Sequence, residues 1–386
     1  MTIFTFEKLY KAYKDCIKTK KNTTNALKFE MNREKNLSRL LYDLQTGKYE
    51  ISRHICFVVT EPSPREIFAG DFRDRIVHHL LCNEIQTLFE HSFIESSYAN
   101  RKGKGTHKAV KELKFYLVRG GEDRQRLYFL KMDIKGFFRN IDKSILWNIV
   151  EKKIQESEGD TNWKKEVLYL AKKIIFHDPT SNYIFRGKRE TRDFISKEKS
   201  LLFGSKNTGL PIGNLTSQFF ANIYLNELDH FVKDVLGYDR YIRYVDDFII
   251  LSENKEKLKE AVDEVHRFLE SNLKLSLCVN KTTLQLTERG IDFLGYFIRP
   301  SYTLVRRKVV GRFKKKILVY QGNTSQKPRN YLDKEKESFC ACVNSYFGHF
   351  IHANSFGLRK KFGEKIQKIG SLEMGNNFTK VLVKRW

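Results

Sequence analysis

Two adjacent aspartates, Asp246 and Asp247, stand in the middle of the stretch RYVDDFIIL. Aromatic and β-branched residues flank the pair on both sides, and such runs are typical of β-strands. The pattern predicts a β-hairpin whose turn carries both carboxylates. Because like charges held side by side do not stabilise a soluble fold, the turn is expected to hold a ligand.

A third aspartate ends another predicted strand. The stretch RLYFLKMDIKGFF predicts a strand that ends at Asp133. If this strand lies beside the hairpin, three carboxylates converge and raise one another's pKa, a conflict that two divalent metal ions remove. Hard oxygen ligands suit Mg²⁺, and two ions about 4 Å apart stabilise the attacking and leaving oxygens of a phosphoryl displacement. An aspartate pair alone is usually a solvated turn, but together with Asp133 it predicts nucleotidyl transfer.

The charge of the chain favours a polyanionic partner. Lys and Arg number 71 against 46 Asp and Glu, a net charge of +25. Residues 301–386 alone hold 19 basic and 5 acidic residues. Here VRRKVVGRFKKKI predicts a helix with an apolar side on the protein and a basic side on phosphates, with a solvated helix face as the alternative. The residues expected to contact nucleic acid are Arg306, Arg307, Lys308, Arg312, Lys314, Lys315 and Lys316.

The cysteines and the N-terminus predict a cytoplasmic protein. Six cysteines are scattered without a C-x-x-C motif, which is typical of reduced thiols. Cys340, Cys342, His349 and His352 are possible zinc ligands, but C-x-C is an unusual spacing and the intervening residues favour a packed helix. No apolar run approaches the roughly 18 residues that span a bilayer, and no secretory signal is expected.

The remaining segments predict alternating helices and strands. Helices are expected within the first fifty residues, after Gly70, from a cap at Thr106, after GLPIGN and over roughly 254–272. LKLSLCVN is expected to form a strand, and IDFLGYFI lies downstream of it. Residues 151–208 are polar, rich in lysine and weakly periodic, as in an insertion.

Ordered motifs over most of residues 60–300 resemble those of reverse transcriptases. YVDD resembles their active-site box, and KMDIKGFFRNID resembles their first aspartate motif. Their two fingers motifs are similar to PREIFAGDFRDRIVHHLL and SYANRKGKGTHKAV. The motifs downstream of the aspartate hairpin are similar to NKTTLQL and FLGYFI. The resemblance implies an α/β right-hand polymerase with an antiparallel palm sheet. Fingers with the N-terminal helices would occupy residues 1–125, the palm 126–300 with the 151–208 insertion, and a helical basic thumb 301–386.

The stretch GLPIGNLTSQFFANIYLNELDHF resembles one branch of that superfamily. Intron-type enzymes usually carry a Gln-Gly…Ser-Pro pattern where this chain has Ile212, Gly213, Ser217 and Gln218. Reverse transcriptases of diversity-generating retroelements carry the pattern found here, and KSLLFG and NSYFGHFIHANSFGLRKKF also resemble them. The resemblance implies a bacterial or phage enzyme that copies a template-repeat RNA into cDNA with errors at adenines. That cDNA replaces a variable region in a target gene.

The resemblance also implies roles for single residues. Two Mg²⁺ ions, which Mn²⁺ can replace, are expected on Asp133, Asp246, Asp247 and the carbonyl of Ile134. Phe138 matches the position that closes under the sugar and excludes a 2′-hydroxyl, with ordinary core packing as the alternative. Nucleotide contacts are further expected from Arg65, Arg101, Lys104, Ile212, Gly213, Gln218 and Lys281. For Arg101 and Lys104, plain solvated charge is an equal alternative.

The implied partners are template RNA, cDNA, dNTPs and a small, basic, oligomeric accessory protein that helps to bind the RNA. No membrane partner is expected. Two alternatives remain open. One is another catalytic relative, such as an intron maturase or a defence-associated reverse transcriptase. The other is a non-catalytic RNA-binding relative, against which the intact aspartates argue, since clustered carboxylates repel RNA.

Overall fold

The computed structural model describes residues 2–18, 20–61, 63–119, 126–323, 329–368 and 372–383. The helices are α1 (Phe6–Ile17), α2 (Thr24–Glu30), α3 (Arg33–Gln45), α4 (Phe72–Glu90), α5 (Thr106–Arg119), α6 (Phe137–Asn140), α7 (Lys143–Gln155), α8 (Thr161–Ile175), α9 (Leu215–His230), α10 (Lys255–Leu273), α11 (Arg307–Asn323), α12 (Arg329–Phe350) and α13 (Phe356–Gln367). The strands are β1 (His54–Val59), β2 (Arg65–Ala69), β3 (Tyr128–Asp133), β4 (Tyr183–Phe185), β5 (Tyr241–Tyr244), β6 (Asp247–Ser252), β7 (Thr283–Leu286), β8 (Ile291–Phe293), β9 (Tyr296–Ile298), β10 (Thr303–Val305), β11 (Leu372–Met374) and β12 (Val381–Val383).

The strands form small sheets with mostly antiparallel pairing. One sheet has the order β5-β6-β3-β7 and is called the central sheet below. A second has the order β2-β1-β4, in which β1 pairs antiparallel with β2 and parallel with β4. The strands β8, β9 and β10 form an antiparallel meander, and β11 pairs with β12. The predicted mixture of helices and antiparallel sheets is confirmed.

The chain divides into two compact units. The first comprises Met1–Lys102, Lys131–Ile250 and Glu256–Thr283. In this unit α4 packs against α1 and α9, and α7 packs against α8 and α9. The helix α9 is buried along most of its length, so it forms the centre of the unit's core. Polar side chains at its buried surface are therefore expected to have specific partners.

The second unit comprises Gly103–Leu130, Leu251–Lys255 and Leu284–Trp386. Its core joins the apolar faces of α11, α12 and α13 with β11 and β12. Phe313 of α11 is fully buried and stacks on Tyr346 with ring centroids 4.6 Å apart. Aromatic side chains contribute large buried areas, so this cluster accounts for much of the unit's apolar contact.

The structure corrects one prediction of secondary structure. LKLSLCVN does not form a strand: α10 extends to Leu273, and among the described residues Leu277 makes an isolated bridge to Ile134. The prediction failed because Leu273, Leu275 and Leu277 are buried alternately without a continuous ladder of backbone hydrogen bonds. Residues 151–208, the predicted insertion, contain the last residues of α7, the whole of α8 and the strand β4.

The cysteine and histidine segment near residue 340 lies on a helix. The six cysteines are not joined in disulfide bonds in the described part of the chain, and Cys340 is buried on α12 with its Sγ 3.2 Å from the carbonyl oxygen of Val381. The packed helix predicted for this segment is confirmed. Among the described helices, none combines the length and apolarity that crossing a membrane requires.

Candidate active site

The aspartate pair lies at the turn of the predicted hairpin. Tyr244 of β5 pairs with Asp247, the first residue of β6, so Val245 and Asp246 form the connection. Val245 has a φ of 57°, a left-handed conformation that is costly for a β-branched residue. Backbone strain of this kind is concentrated at functional sites. The connection is also fixed from the neighbouring strand, because the backbone nitrogen of Ile134 donates to the carbonyl oxygen of Asp246 at 3.3 Å.

Asp133 joins this turn from the strand next to β6. It is the last residue of β3, which lies between β6 and β7 in the central sheet. Burial first, and then the charge of Asp133, raise the pKa of Asp246. Burial likewise raises the pKa of Asp247 to about 6, although Lys131 opposes the shift. The three carboxylates that the sequence indicates are therefore brought together, in the first unit, where their charges repel.

Two lysines partly neutralise this cluster. The Nζ of Lys281 lies 2.5 Å from Oδ2 of Asp133, and the Nζ of Lys131 lies 3.1 Å from Oδ2 of Asp247. Sequence reasoning missed Lys131, although its position two residues before Asp133 on the same strand places it on the same face. The triphosphate contact expected of Lys281 stays a prediction, since in this structure its ammonium group is held by Asp133.

The donor set fits divalent metal ions. Oδ1 of Asp247 is buried without a hydrogen-bond partner in the described part of the chain. A buried carboxylate oxygen without a donor is costly, and a cation at this position would satisfy it. Within the described residues, no three acidic, histidine or cysteine side chains are already spaced to bind a metal. Asp247 and Asp133 are paired instead with Lys131 and Lys281.

The residues expected to bind the sugar and triphosphate lie on adjoining elements. Arg65 is exposed at the start of β2, and its charge acts on Asp246 to lower the raised pKa. Phe138 is half-buried on α6, while the neighbouring Phe137 is buried. The greater exposure of Phe138 suits a position that faces a substrate, and Phe137 is the core residue of the two.

The segment before α9 is fastened to β2. The backbone nitrogen of Phe68 donates to the carbonyl oxygen of Ile212 at 3.0 Å. Gly213 has a φ of 120°, and a Cβ there would lie 2.8 Å from Cγ2 of Ile67, so a side chain is excluded. Gln218 is exposed in the first turns of α9. These contacts place Ile212 beside the strand that begins with Arg65.

The expectation for Arg101 is not supported. Its side chain is 5% exposed; Nε lies 2.6 Å from Oε1 of Glu90, and Nη1 donates to the carbonyl oxygens of Ile94 and Ser97. A guanidinium so occupied supports the loop rather than meeting a nucleotide. Lys104 lies in the second unit, just before α5, and its predicted role remains a prediction.

The basic helix expected near residue 306 is present as α11. Val309, Phe313, Ile317 and Tyr320 form its buried face. Exposed on the helix are Arg307, Lys308, Lys314 and Lys315, whereas Arg306, Arg312 and Lys316 are half-buried. Arg306 also forms an ion pair with Asp292, with 3.2 Å between Nη2 and Oδ2. The amphipathic character of the helix is confirmed, and its contact with nucleic acid stays a prediction.

Arg243 is a further residue that sequence reasoning missed. Its side chain is fully buried, and Nε and Nη2 bind both carboxylate oxygens of Asp229 on α9, at 2.7 and 2.6 Å. Its Nη1 donates to the carbonyl oxygen of Val245 at 3.2 Å, inside the aspartate turn. Arg243 therefore connects the strained turn to the core helix of the unit.

A strained aspartate turn beside a third carboxylate, on an antiparallel sheet, is the site expected of a nucleotidyl-transferring polymerase. The family model of reverse transcriptase (RNA-dependent DNA polymerase) matches residues 62–298, more than half of the chain. The chain therefore belongs to the reverse transcriptase family. The match includes all three aspartates.

Similar proteins include bacterial and intron-encoded ones. Protein YkfC of Escherichia coli is 24% identical over 66% of this chain and 68% of its own. The group II intron-encoded protein LtrA of Lactococcus lactis is 22% identical over 74% of this chain, which spans 53% of LtrA. The telomerase of Candida albicans aligns with a TM-score of 0.45 and 12% identity over 74% of this chain and 55% of its own. Similarity at that level carries no argument about function.

Proposed function

We propose that this chain is the reverse transcriptase of a diversity-generating retroelement, which copies a template-repeat RNA into cDNA mutagenised at adenines. The observation that carries the polymerase chemistry is the convergence of Asp133, Asp246 and Asp247 at a strained turn. In this proposal residues 1–125 act as fingers, residues 126–300 as the palm and residues 301–386 as the thumb. The chain spans about half of LtrA, so the intron-encoded protein's activities are not transferred whole.

The residues of the chain have separate tasks in this proposal. Two Mg²⁺ ions, when bound by the three aspartates, would activate the primer hydroxyl and stabilise the leaving pyrophosphate. Lys131 and Lys281 partly neutralise the negative charge of the carboxylates before substrate binds. When substrate binds, Lys281 leaves Asp133 and contacts the triphosphate. Arg65 offers a guanidinium fork to the phosphate oxygens, and Phe138 leaves no room for a 2′-hydroxyl.

The assignment to the retroelement branch depends on Ile212, Gly213, Ser217 and Gln218. It implies a basic, oligomeric accessory protein as a partner in binding the RNA. The alternative is a group II intron-type or defence-associated enzyme, which the similarity to LtrA also fits. Flanking DNA distinguishes them: a template and variable repeat pair that differs at adenines supports the proposal, and its absence beside the gene contradicts it.

We expect Ile212→Gln, alone or with Gln218→Pro, to lower errors opposite template adenine more than errors elsewhere. A glutamine can hydrogen-bond near the incoming nucleotide, whereas isoleucine offers no such bond. About 1.4 kcal/mol of restored discrimination lowers misincorporation about tenfold, an amount that one polar contact can supply. The measurement is sequencing of cDNA made on one defined template.

Leu215→Gln is the matched control, because Leu215 is 37% exposed in the same segment and lies outside the branch pattern. Its error spectrum is expected to equal that of the wild type. If Ile212→Gln and the wild type also give equal spectra, the cause of infidelity lies away from this segment.

We expect neutralisation of the exposed face of α11 to weaken RNA binding and to reduce its salt dependence. The substitutions are Arg307→Gln, Lys308→Gln, Lys314→Gln and Lys315→Gln, which leave the buried face intact. Each phosphate contact contributes roughly 0.7 to 0.9 to the slope of log K against log salt, so the loss of four contacts should reduce the slope by up to roughly 3 to 4. The measurement is RNA affinity at several salt concentrations.

The control neutralises four exposed lysines of the N-terminal region, namely Lys11, Lys14, Lys20 and Lys21. It removes the same charge, so a general electrostatic effect would reduce the slope equally in both variants. An equal reduction of the slope in both variants, or no reduction in the α11 variant, would indicate that this helix face is solvated and does not contact RNA.

A further inference from the structure

One short segment of the insertion contacts both β2, which begins with Arg65, and α6, which contains Phe138. This segment comprises residues 198–204, within SKEKSLLFG, and is called the clamp segment below. Glu66 of β2 holds it on one side, and Arg139 of α6 holds it on the other. Glu66 follows Arg65, and Arg139 follows Phe138. The contacts therefore join the neighbours of two residues that the proposed function places on the incoming nucleotide.

The contact from β2 is a buried carboxylate. Glu66 is 8% exposed, and its oxygens accept hydrogen bonds from Oγ of Ser200 at 3.0 and 3.1 Å. The backbone nitrogen of Leu201 donates to the same carboxylate at 2.9 Å. Successive residues of a strand point to opposite faces, so Glu66 points inward while Arg65 is exposed. Hydrogen bonds to a charged acceptor are among the strong ones, so this contact fixes the start of β2.

The contact from α6 is a guanidinium with three acceptors. Arg139 donates from Nη2 to the carbonyl oxygen of Phe203 at 2.8 Å, from Nε to that of Ser200 at 3.1 Å and from Nη1 to that of Glu198 at 3.3 Å. The planar fork is suited to holding several carbonyls of one segment at once, which a lysine cannot do.

Close backbone approach completes the connection to α6. A Cβ at Gly136 would lie 3.2 Å from the carbonyl oxygen of Glu198, and a Cβ at Gly209 would lie 3.0 Å from that of Arg139. The backbone nitrogen of Leu210 donates to the carbonyl oxygen of Phe138 at 2.8 Å. The helix α6 spans only Phe137–Asn140, too short to be stable alone, so these tertiary contacts set its position.

We propose that Arg139, with Glu66 and the clamp segment, is a positioning device that sets how strictly Phe138 excludes ribonucleotides. Selection by a side chain under the sugar depends on its distance from the 2′-carbon, and small displacements have large effects on rate. The clamp segment keeps α6 and β2 in one arrangement, so that the sugar and the triphosphate are held together. This inference rests on the proposed nucleotide-binding roles of Phe138 and Arg65.

The test compares kcat/KM for a dNTP and the matching rNTP in primer extension by full-length protein. In Arg139→Met the dNTP-to-rNTP ratio is expected to fall about tenfold, chiefly through faster rNTP incorporation. Arg139→Lys should also lose selectivity, because it keeps the charge but not the fork. Arg186→Met, an exposed arginine of the same insertion, is the control and should keep the wild-type ratio. If Arg139→Met does not fold, Ser200→Ala takes its place in the test. It removes one hydroxyl only, so a smaller fall in the dNTP-to-rNTP ratio is expected.

Phe138→Ala separates this inference from the proposed function. If Phe138→Ala lowers the ratio, adding Arg139→Met should lower it little further, because the arginine acts through the phenyl ring. A purely structural role for Arg139 would reduce dNTP and rNTP incorporation alike at a constant ratio, and that result would overturn the inference alone. A normal ratio in Phe138→Ala would overturn the assignment of the sugar contact and this inference with it.

Discussion

Replacement of Asp246 by asparagine is expected to abolish cDNA synthesis while RNA binding stays close to normal. Only the transition state depends on the metal ions that this carboxylate would hold, so the loss should appear in turnover rather than in affinity. Lost metal stabilisation is worth several kcal/mol, which corresponds to roughly a thousandfold or more in rate. Primer extension at saturating Mg²⁺ measures it, and Asp133→Asn should behave alike.

The same substitution should not destabilise the fold. Burial and the charge of Asp133 raise the pKa of Asp246, so its ionised form is less favourable in the folded than in the unfolded protein. Asparagine keeps the shape and removes that charge, so the thermal midpoint should be equal or higher. This combination of lost activity and kept stability is typical of a catalytic position.

Asp193→Asn is the matched control, since Asp193 is exposed in the insertion and should keep full activity and stability. Near-normal extension by Asp246→Asn at saturating Mg²⁺ would show that the three aspartates do not form the metal site. Weakened RNA binding at normal turnover would instead assign these carboxylates a structural role.

The hairpin and its neighbouring strand could be predicted because their signals are local. Short runs of aromatic and β-branched residues on both sides of Asp246 and Asp247 indicate two strands, and the charged pair between them is therefore expected at the turn. The same rule failed for LKLSLCVN. There the buried Leu273, Leu275 and Leu277 alternate with exposed residues as in a strand, yet in the described part of the chain the backbone pairing does not extend beyond the bridge from Leu277 to Ile134. Burial pattern alone does not establish backbone pairing.

Partners distant in sequence could not be predicted. The sequence indicates that Arg101 is a charged residue of a loop. In the structure the turn after α4 brings its carboxylate partner Glu90 beside it. In the sequence Arg139 is not distinguished from the other basic residues, although in the structure three carbonyl oxygens of the insertion accept hydrogen bonds from its guanidinium. In each case the residue type was visible, but the role depends on which backbone groups the fold places within hydrogen-bond distance.

Arg243 provides the clearest example, because it stands three residues before Asp246 and its acceptor lies on another element. Asp229 of α9 and Arg243 are both completely buried, and the hydroxyl of Tyr241 donates to the same carboxylate at 2.8 Å. A further acceptor of the guanidinium, Oγ of Ser97, lies 3.1 Å away. A charge pair with this many hydrogen bonds is satisfied as a unit.

Arg243→Leu is therefore expected to lower the free energy of unfolding by about 3–5 kcal/mol, because it leaves a carboxylate buried and unpaired. Denaturant unfolding measures the loss. Asp229→Leu should be similarly harmful, whereas the double variant should lose much less than the sum, since neither charge is then left alone. The control is Arg306→Leu, whose partner Asp292 is 47% exposed, and a loss of at most about 1 kcal/mol is expected there.

The pair should matter for activity beyond stability. Arg243 donates to the carbonyl oxygen of Val245, the residue that holds the left-handed conformation beside Asp246. Without that donor the strained turn is free to relax, and Asp246 moves away from Asp133. In the double variant we accordingly expect a folded protein, more stable than either single variant, with a large loss of turnover at unchanged RNA affinity. Full turnover in that variant would show that the turn keeps its conformation unaided, and would limit Arg243 to the stability of the core.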